Sequence, residues 1–452
     1  MKKYLISVMS LGLVLSLAAC GDNNEETTAD NNNNNEDVNE VENENNAGND
    51  NNDVNNDNDA GDQEEVSLNF WLFGATGYPD LAEQYMEENP HISIEFQEID
   101  MEDHHNNLFT ALSAGSGAPD MAALEVAELE RYRGAEDSFY NLNEFGAGEM
   151  EGQYLDWVWQ LGQDSDADYL FGLPTDIGPT VMFYRADVFE EAGLDSSPEA
   201  VESMMATWDD YFDAAATIFE ETGKPMTDNP ELIFNALRDQ SEELYFNPEN
   251  ELLLETNPEM REAYDFTAEM IAEGYVGSYE LWSPEWGSGM EEGSYATLLA
   301  PAWMQGVIKD NAPDEENWRM ATLPEGAGNW GGSWITVPAQ SEHPEEAYAF
   351  LNWLLSPEMQ LEAFLNMGLF PSSPDVYEME EFQNYTDDYF GGQETARIFA
   401  EAAEVVEHNY TGPNYSDVND EMVDGLYNVL DGADPDDEWE SMLDRVDQRI
   451  NR

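Results

Sequence analysis

YLFGLPTDIGPTVMFYR, residues 169–185, is the stretch on which the fold turns. Tyr169, Leu170 and Phe171 read as the end of a buried strand. Gly172 and Pro174 then break it, and Pro179 has no N–H to give to a sheet. Thr180 to Tyr184 is a second β-rich apolar run. Between the two lies Asp176, an acid in apolar company, close to a permissive Gly178 and a fixed Pro179. The stretch reads as a segment that leaves one domain, presents one polar side chain and enters another. A structural turn with a solvated Asp accounts for the same residues.

Upstream, Val66–Phe73 reads as a strand, 80–89 as a helix ended by Pro90, and Ile92–Ile99 as an alternating strand. A helix over 104–114 ends at Gly115-Ser116-Gly117-Ala118-Pro119. Met121–Leu124 is a short buried strand with Glu125 just past its end. Strand, helix, strand, helix, strand is an α/β pattern with a largely parallel sheet. Gly115 and Gly117 follow a helix and lack a third glycine, so they make no dinucleotide fingerprint. Downstream, residues 186–300 are mainly helical, with spacing over 207–222, 230–237 and 258–273. Strands are expected at 294–299, 318–323 and 335–337, and helices at 301–311 and 344–355. Gly326, Gly328, Gly331 and Gly332 read as a flexible return toward the first lobe. Residues 372–452 are helical with polar loops.

The 452 residues carry 14 basic and 99 acidic side chains, a formal charge of −85. Such a chain repels nucleic-acid phosphates and anionic membrane surfaces. Yet 41% hydrophobic and 12% aromatic residues are enough to build cores, so the acid does not mean global disorder. Lysine is confined to Lys2, Lys3, Lys224 and Lys309. A folded chain this acidic fits a high-salt habitat, where ions screen its self-repulsion.

Cys20 is the one cysteine, so no intramolecular disulfide can form. Lys2 and Lys3 make a positive start, and Tyr4–Leu17 a short apolar run, too short to span a membrane comfortably. Leu17-Ala18-Ala19-Cys20 resembles a bacterial lipobox, which implies that Cys20 is lipidated and becomes the mature N-terminus. Residues 21–65 are Asn-, Asp- and Glu-rich without aromatic residues or leucine, and read as a disordered tether of about 35–40 Å span.

FGLPTDIGPTVMFYR followed by DVFEEAGLD is similar to the first interdomain crossover of extracellular solute-binding proteins of family 1, the sugar-type receptors of ABC importers. LNFWLFG at 68–74, LFTALSAGSGAPDMAALEVAEL at 108–129, ATLLAPAWMQGVI at 296–308, GGSWITVP at 331–338 and HPEEAYAFLNWLLSPEMQ at 343–360 carry the resemblance in order and spacing. It implies an α/β, two-lobe, type II periplasmic-binding-protein-like fold with mainly parallel sheets. After the signal peptide (1–20) and tether (21–65), the N-lobe takes 66–176 and 333–370, and the C-lobe 177–332 and 371–452. It also implies a lipid-anchored monomer facing outside the cell, on a Gram-positive-type envelope or in a periplasm. Such a receptor hands a carbohydrate, here read as an oligosaccharide, to the transmembrane permease subunits, without a cofactor or metal and without catalysis.

In open α/β sheets ligands bind beyond the carboxyl ends of strands. The residues expected there are Trp71, Phe73, Glu125, Asp176, Trp303 and Trp334, with Trp282 and Trp286 close to Trp303 in sequence. Flat aromatic faces suit sugar rings, and carboxylates suit their hydroxyls. Trp157, Trp159, Trp208, Trp318 and Trp353 read as core or surface-helix positions. His104 and His105 are adjacent on a helix and read as solvated rather than as metal ligands. Two other readings stand beside the sugar receptor. One is a receptor for a cationic osmolyte, held by aromatic faces and acids. The other is a hydrolase using Glu125 and Asp176 as a carboxyl pair, although the chain has no nucleophile elbow, P-loop or HExxH.

Overall fold

Val66–Phe73 (β1) and Ile92–Ile99 (β2) alternate buried and exposed positions at their N-terminal ends, as a half-covered strand must. They run parallel, in register from Val66 against Ile92 to Phe73 against Ile99, and the helix Tyr78–Glu88 joins them. The computed structural model describes residues 64–132, 135–164, 169–241, 243–407 and 410–450. Cys20 and all of the 21–65 tether except its last two residues lie outside them. A second helix, Met101–Ala114, starts three residues earlier than the spacing predicts, because the Asp100 carboxylate caps it by accepting the Glu102 amide at 3.1 Å. Gly115 ends it at φ 67. Met121–Glu125 (β3) then lies parallel to β1.

The remaining strands are Leu173–Pro179 (β4), Val181–Arg185 (β5), Thr297–Ala300 (β6), Trp318–Ala321 (β7), Asn329–Thr336 (β8) and Phe370–Pro371 (β9). They form a six-stranded sheet, β2-β1-β3-β8-β4-β9, and a three-stranded sheet, β6-β5-β7. Only the pairs made by β1 are parallel; β8 is antiparallel to β3 and β4, β9 to β4, and β5 to both its neighbours. The expected mainly parallel sheets are therefore corrected. Helical crossovers keep β1 to β3 parallel, but β8 returns from the small sheet to the large one and so runs against β4.

The stretch 169–185 also differs from its reading as a break between strands. Leu173–Pro179 is itself a fully buried strand. The two prolines are accommodated by register shifts, between Pro174 and Asp176 and between Ile177 and Pro179. Only Thr180 separates β4 in the large sheet from β5 in the small one. Its amide and hydroxyl both donate to the Gly328 carbonyl, and its hydroxyl accepts the Gly328 amide at 3.0 Å. The glycine-rich return is likewise mostly strand. Gly178 is required there because a Cβ would lie 2.0 Å from the Trp330 carbonyl oxygen, and Gly332, at φ 111, packs against the Asp176 backbone.

Leu68, Phe70 and Leu72 pack with Leu351, Phe350 and Leu173 on one side of the large sheet. Met182, Tyr184, Tyr211 and Ile218 do the same around the small sheet. A further core joins Leu124, Phe171, Val181, Trp334 and Phe399. Among the described residues no helix is long and apolar enough to cross a membrane.

Candidate binding site

A cavity of about 380 Å³ opens beyond the carboxyl end of β3. One wall is Met101, Glu102 and His105 from the helix Met101–Ala114, with Glu125 to Glu128 beside them. The opposite wall is Asn235, Arg238 and Asp239 at the end of the helix Pro230–Arg238, with Tyr415 and Asn419 from the helix Tyr415–Leu430. Trp157 and the Asn329–Gly331 segment of β8 complete it.

Glu125 is the one expected carboxylate that lines this cavity. Its Oε2 accepts the Ala127 amide at 2.6 Å, capping the short turn Val126–Glu128. Burial raises its carboxyl to about 8, against that amide bond and with help from the charges of Glu128 and Asp176. At neutral pH most of it is therefore protonated, and can donate as well as accept.

Asp176 does not line the cavity. It is 8% exposed, and its Oδ1 accepts the Thr175 hydroxyl at 2.6 Å. Burial raises it to about 6, opposed by that hydroxyl. The presented polar side chain of the first reading is thus an internal one, because β4 is an interior strand between β8 and β9.

His105 and Trp157 are the residues that the sequence reading placed elsewhere. His104 and His105 are buried, not solvated, with rings 5.0 Å apart at 90°. Phe73, expected at the ligand, instead packs edge-on against His104 at 5.2 Å and tilted against His105 at 5.4 Å. The His105 Nε2 accepts the Glu125 amide at 3.4 Å. Burial first, then the neighbouring His104 and Arg131, lower the ring to about 3. The ring is therefore neutral, with its proton on Nδ1. That Nδ1 is buried and has no hydrogen-bond partner, as is the case for the Trp157 Nε1.

Across the cavity Arg238 is 3% exposed. Its guanidinium pairs with Asp239 at 2.6 Å and donates to Asn235 at 2.8 Å and to Asn419. Burial opposes its charge most, but the Asp239 carboxylate together with Tyr415 and Tyr245 more than offsets burial and keeps it cationic. The other Asp239 oxygen, Oδ2, is buried without a partner. Three residues that line the cavity, His105, Trp157 and Asp239, thus each keep a buried polar atom without a partner, and Trp330 and Tyr415 line it with them.

The expected tryptophans divide. Trp334 is buried with its N–H on the Val158 carbonyl at 3.2 Å, and Trp286 is buried with its N–H on Asp228 at 2.7 Å. Both are core residues, since their only polar atoms are consumed inside the protein. Trp71 is half-buried against the core and does not reach the cavity. Trp303 is half-buried and packs edge-on against Trp330 at 5.1 Å, and Trp282 lies over Trp303. Trp159, Trp208 and Trp318 are buried, and Trp353 stacks on Phe350, as expected.

Known proteins resemble this chain in sequence and in fold. The sequence profile of bacterial extracellular solute-binding proteins matches residues 80–389. An arabinooligosaccharide-binding protein of Halalkalibacterium halodurans is 29% identical over 71% of this chain and 75% of its own length. A protein of the same name from Bacillus subtilis is 26% identical over 79% of this chain and 85% of its own. A crystal structure of an extracellular solute-binding protein of family 1 superposes with a TM-score of 0.81 at 31% identity, over 85% of this chain and 99% of that one. The chain belongs to the bacterial extracellular solute-binding proteins and has their two-lobe, mixed α/β fold.

Proposed function

We propose that the chain is the receptor of an ABC importer and captures an oligosaccharide, a pentose chain being the first to test because two relatives are named for arabino-oligosaccharides. The observation that carries this is a cavity lined by three residues that each keep a buried polar atom without a partner, the His105 Nδ1–H, the Trp157 Nε1–H and the Asp239 Oδ2. A sugar hydroxyl donates and accepts at once, so a small shift of these side chains toward the cavity lets a neutral ligand pair with them. The aromatic faces of Trp330 and Tyr415 supply apolar cover for its rings.

In this reading the lobes are 66–176 with 333–370 and 177–332 with 371–452, and the cavity lies between them. The protein is a monomer, tethered by a lipid on Cys20, and presents its ligand to the permease subunits outside the membrane. It binds without turnover: of the two carboxyls a hydrolase would need, Asp176 is turned to Thr175 rather than to the cavity. Its acid surface suits a salty medium.

A thermal-shift screen tests the reading, because a ligand that binds only the folded state raises the melting temperature. Arabino-oligosaccharides, other neutral oligosaccharides and betaine are compared in molar salt. A shift with an oligosaccharide and none with betaine is expected. Shifts confined to betaine overturn the sugar reading, and shortening of a bound chain overturns the claim of no turnover.

A further inference from the structure

Arg238 lines the cavity, yet its guanidinium is engaged on both sides within the protein. Its Nε and Nη2 hold the Asp239 carboxylate at 2.8 and 2.6 Å. Its Nη1 donates to the side-chain oxygens of Asn235, at 2.8 Å, and of Asn419. The Tyr415 ring lies 5.4 Å from the guanidinium carbon. A cation already matched by a carboxylate is not placed to take a second anion, so its use in this wall lies elsewhere.

What it does to the two asparagines follows from its chemistry. A guanidinium donates and never accepts, so each amide must turn its oxygen toward Arg238. Tyr245, fully buried, adds a second donor to the same Asn419 oxygen at 2.9 Å. An amide held by its oxygen points its NH2 group the other way, because both ends share one planar carbon. Asn235 and Asn419 also line the cavity. Among the described residues neither NH2 group meets an acceptor, and neither is among the buried atoms left without a partner. Both are therefore open to water, on residues that form the cavity wall.

We infer that Arg238 is a positioning residue of the binding site: it holds two amide oxygens inside the wall and so leaves the Asn235 and Asn419 NH2 groups as a donor face for acceptor oxygens of the ligand. This rests on the oligosaccharide reading of the same cavity. The ring and linking oxygens of a sugar chain accept but cannot donate. Ionised carboxylates, which dominate the rest of the wall, accept only and cannot pair with them. The two amides supply the missing donors without adding charge.

The test is calorimetric titration with arabinotriose, or with the neutral oligosaccharide that raises the melting temperature most if arabinotriose does not bind. Asn419→Asp and Asn235→Asp each keep an oxygen for Arg238 and remove the NH2 donor. Each should melt within a few degrees of the wild type and lose about tenfold in affinity. Equal or tighter binding by variants that keep their melting temperature overturns the donor face. Arg238→Lys and Arg238→Gln test the positioning, whether or not the aspartate variants fold. Lysine is still a cation that only donates, so it should keep affinity within about threefold. Glutamine can offer either end of its amide, so it no longer dictates how the asparagines turn, and should lose about tenfold. Equal affinity in the lysine and glutamine variants overturns the positioning role and leaves the receptor reading intact. A wild type that binds no neutral oligosaccharide overturns the receptor reading, and the donor face with it.

Discussion

Glu125 and Asp176 are both in register with Ser333, one on each side of the same strand. The two carboxyls therefore share one neighbourhood, and the charge of Asp176 contributes to the high proton affinity of Glu125. Only Glu125 reaches the cavity. One carboxyl lines the cavity and the other is held within the sheet.

That arrangement has a pH signature. A carboxyl whose folded value is raised stabilises the fold fully below its unfolded value, and loses that contribution as pH rises through the folded value. For Asp176 the loss runs from about 3.8 to about 6, and for Glu125 from about 4.5 to about 8. Melting temperature in molar salt should fall between pH 5 and 9, and Glu125→Gln should fall less. Parallel curves for the two proteins would mean that Glu125 titrates normally.

The same protonation predicts how Glu125 can be replaced. An amide donates and accepts as a protonated carboxyl does. At pH 6, Glu125→Gln should keep oligosaccharide affinity within about threefold, while Glu125→Ala should lose about tenfold. Equal losses would argue that an ionised Glu125 holds the ligand.

Trp157→Phe keeps a ring and removes the unpaired Nε1–H. Removing an unsatisfied buried donor should leave the unliganded protein as stable or more so. Affinity should fall about two- to tenfold, the range of one neutral hydrogen bond. His105→Phe should weaken binding similarly. A variant that loses melting temperature but no affinity would place its N–H in the fold rather than at the ligand.

Acidic sugars should be rejected. Glu102, Glu128, Glu231, Glu407 and Asp420 join Asp239 around the cavity, and Arg238 is already paired with Asp239. A uronate in that field meets like charge with no free cation. A uronate-bearing chain should bind at least tenfold more weakly than its neutral counterpart in the same titration. Equal affinity would mean that the sugar never approaches these carboxylates.

Salt should stabilise the fold. Arg131, Arg185, Lys224, Arg238, Arg261, Lys309, Arg397, Arg445 and Arg449 are all paired with carboxylates. The other acids of a chain at −85 are left to repel one another. Melting temperature should rise from dilute to molar sodium chloride, and the comparison with sodium sulfate separates screening from the general effect of excluded salts. A flat curve in chloride would count against a saline habitat.

How far the residues spoke for themselves varied with what fixes each position. β1, β2 and the helices at 207–222 and 258–273 were legible because one period governs each. β4 was not, because two prolines and a glycine spell a break locally, and only the neighbouring β8 and β9 make them a strand. Glu125 was legible from its place at a strand end. Arg238 and Tyr415 were not, since they line the same cavity as Glu125 from 113 and 290 positions further along the chain. Trp286 and Trp303 look alike in sequence. What separates them is Asp228, which takes the indole N–H of one and not the other.

The reciprocal bonds between Thr180 and Gly328 tie two passages of the chain into one ribbon where they cross between the sheets. A ribbon stitched from both sides resists shear: neither strand can slide past the other without breaking the stitch. It still permits flexing across its width. What the stitch leaves free at this crossing is bending, so a change between the two sheets that spares these bonds is a flexure rather than a slide.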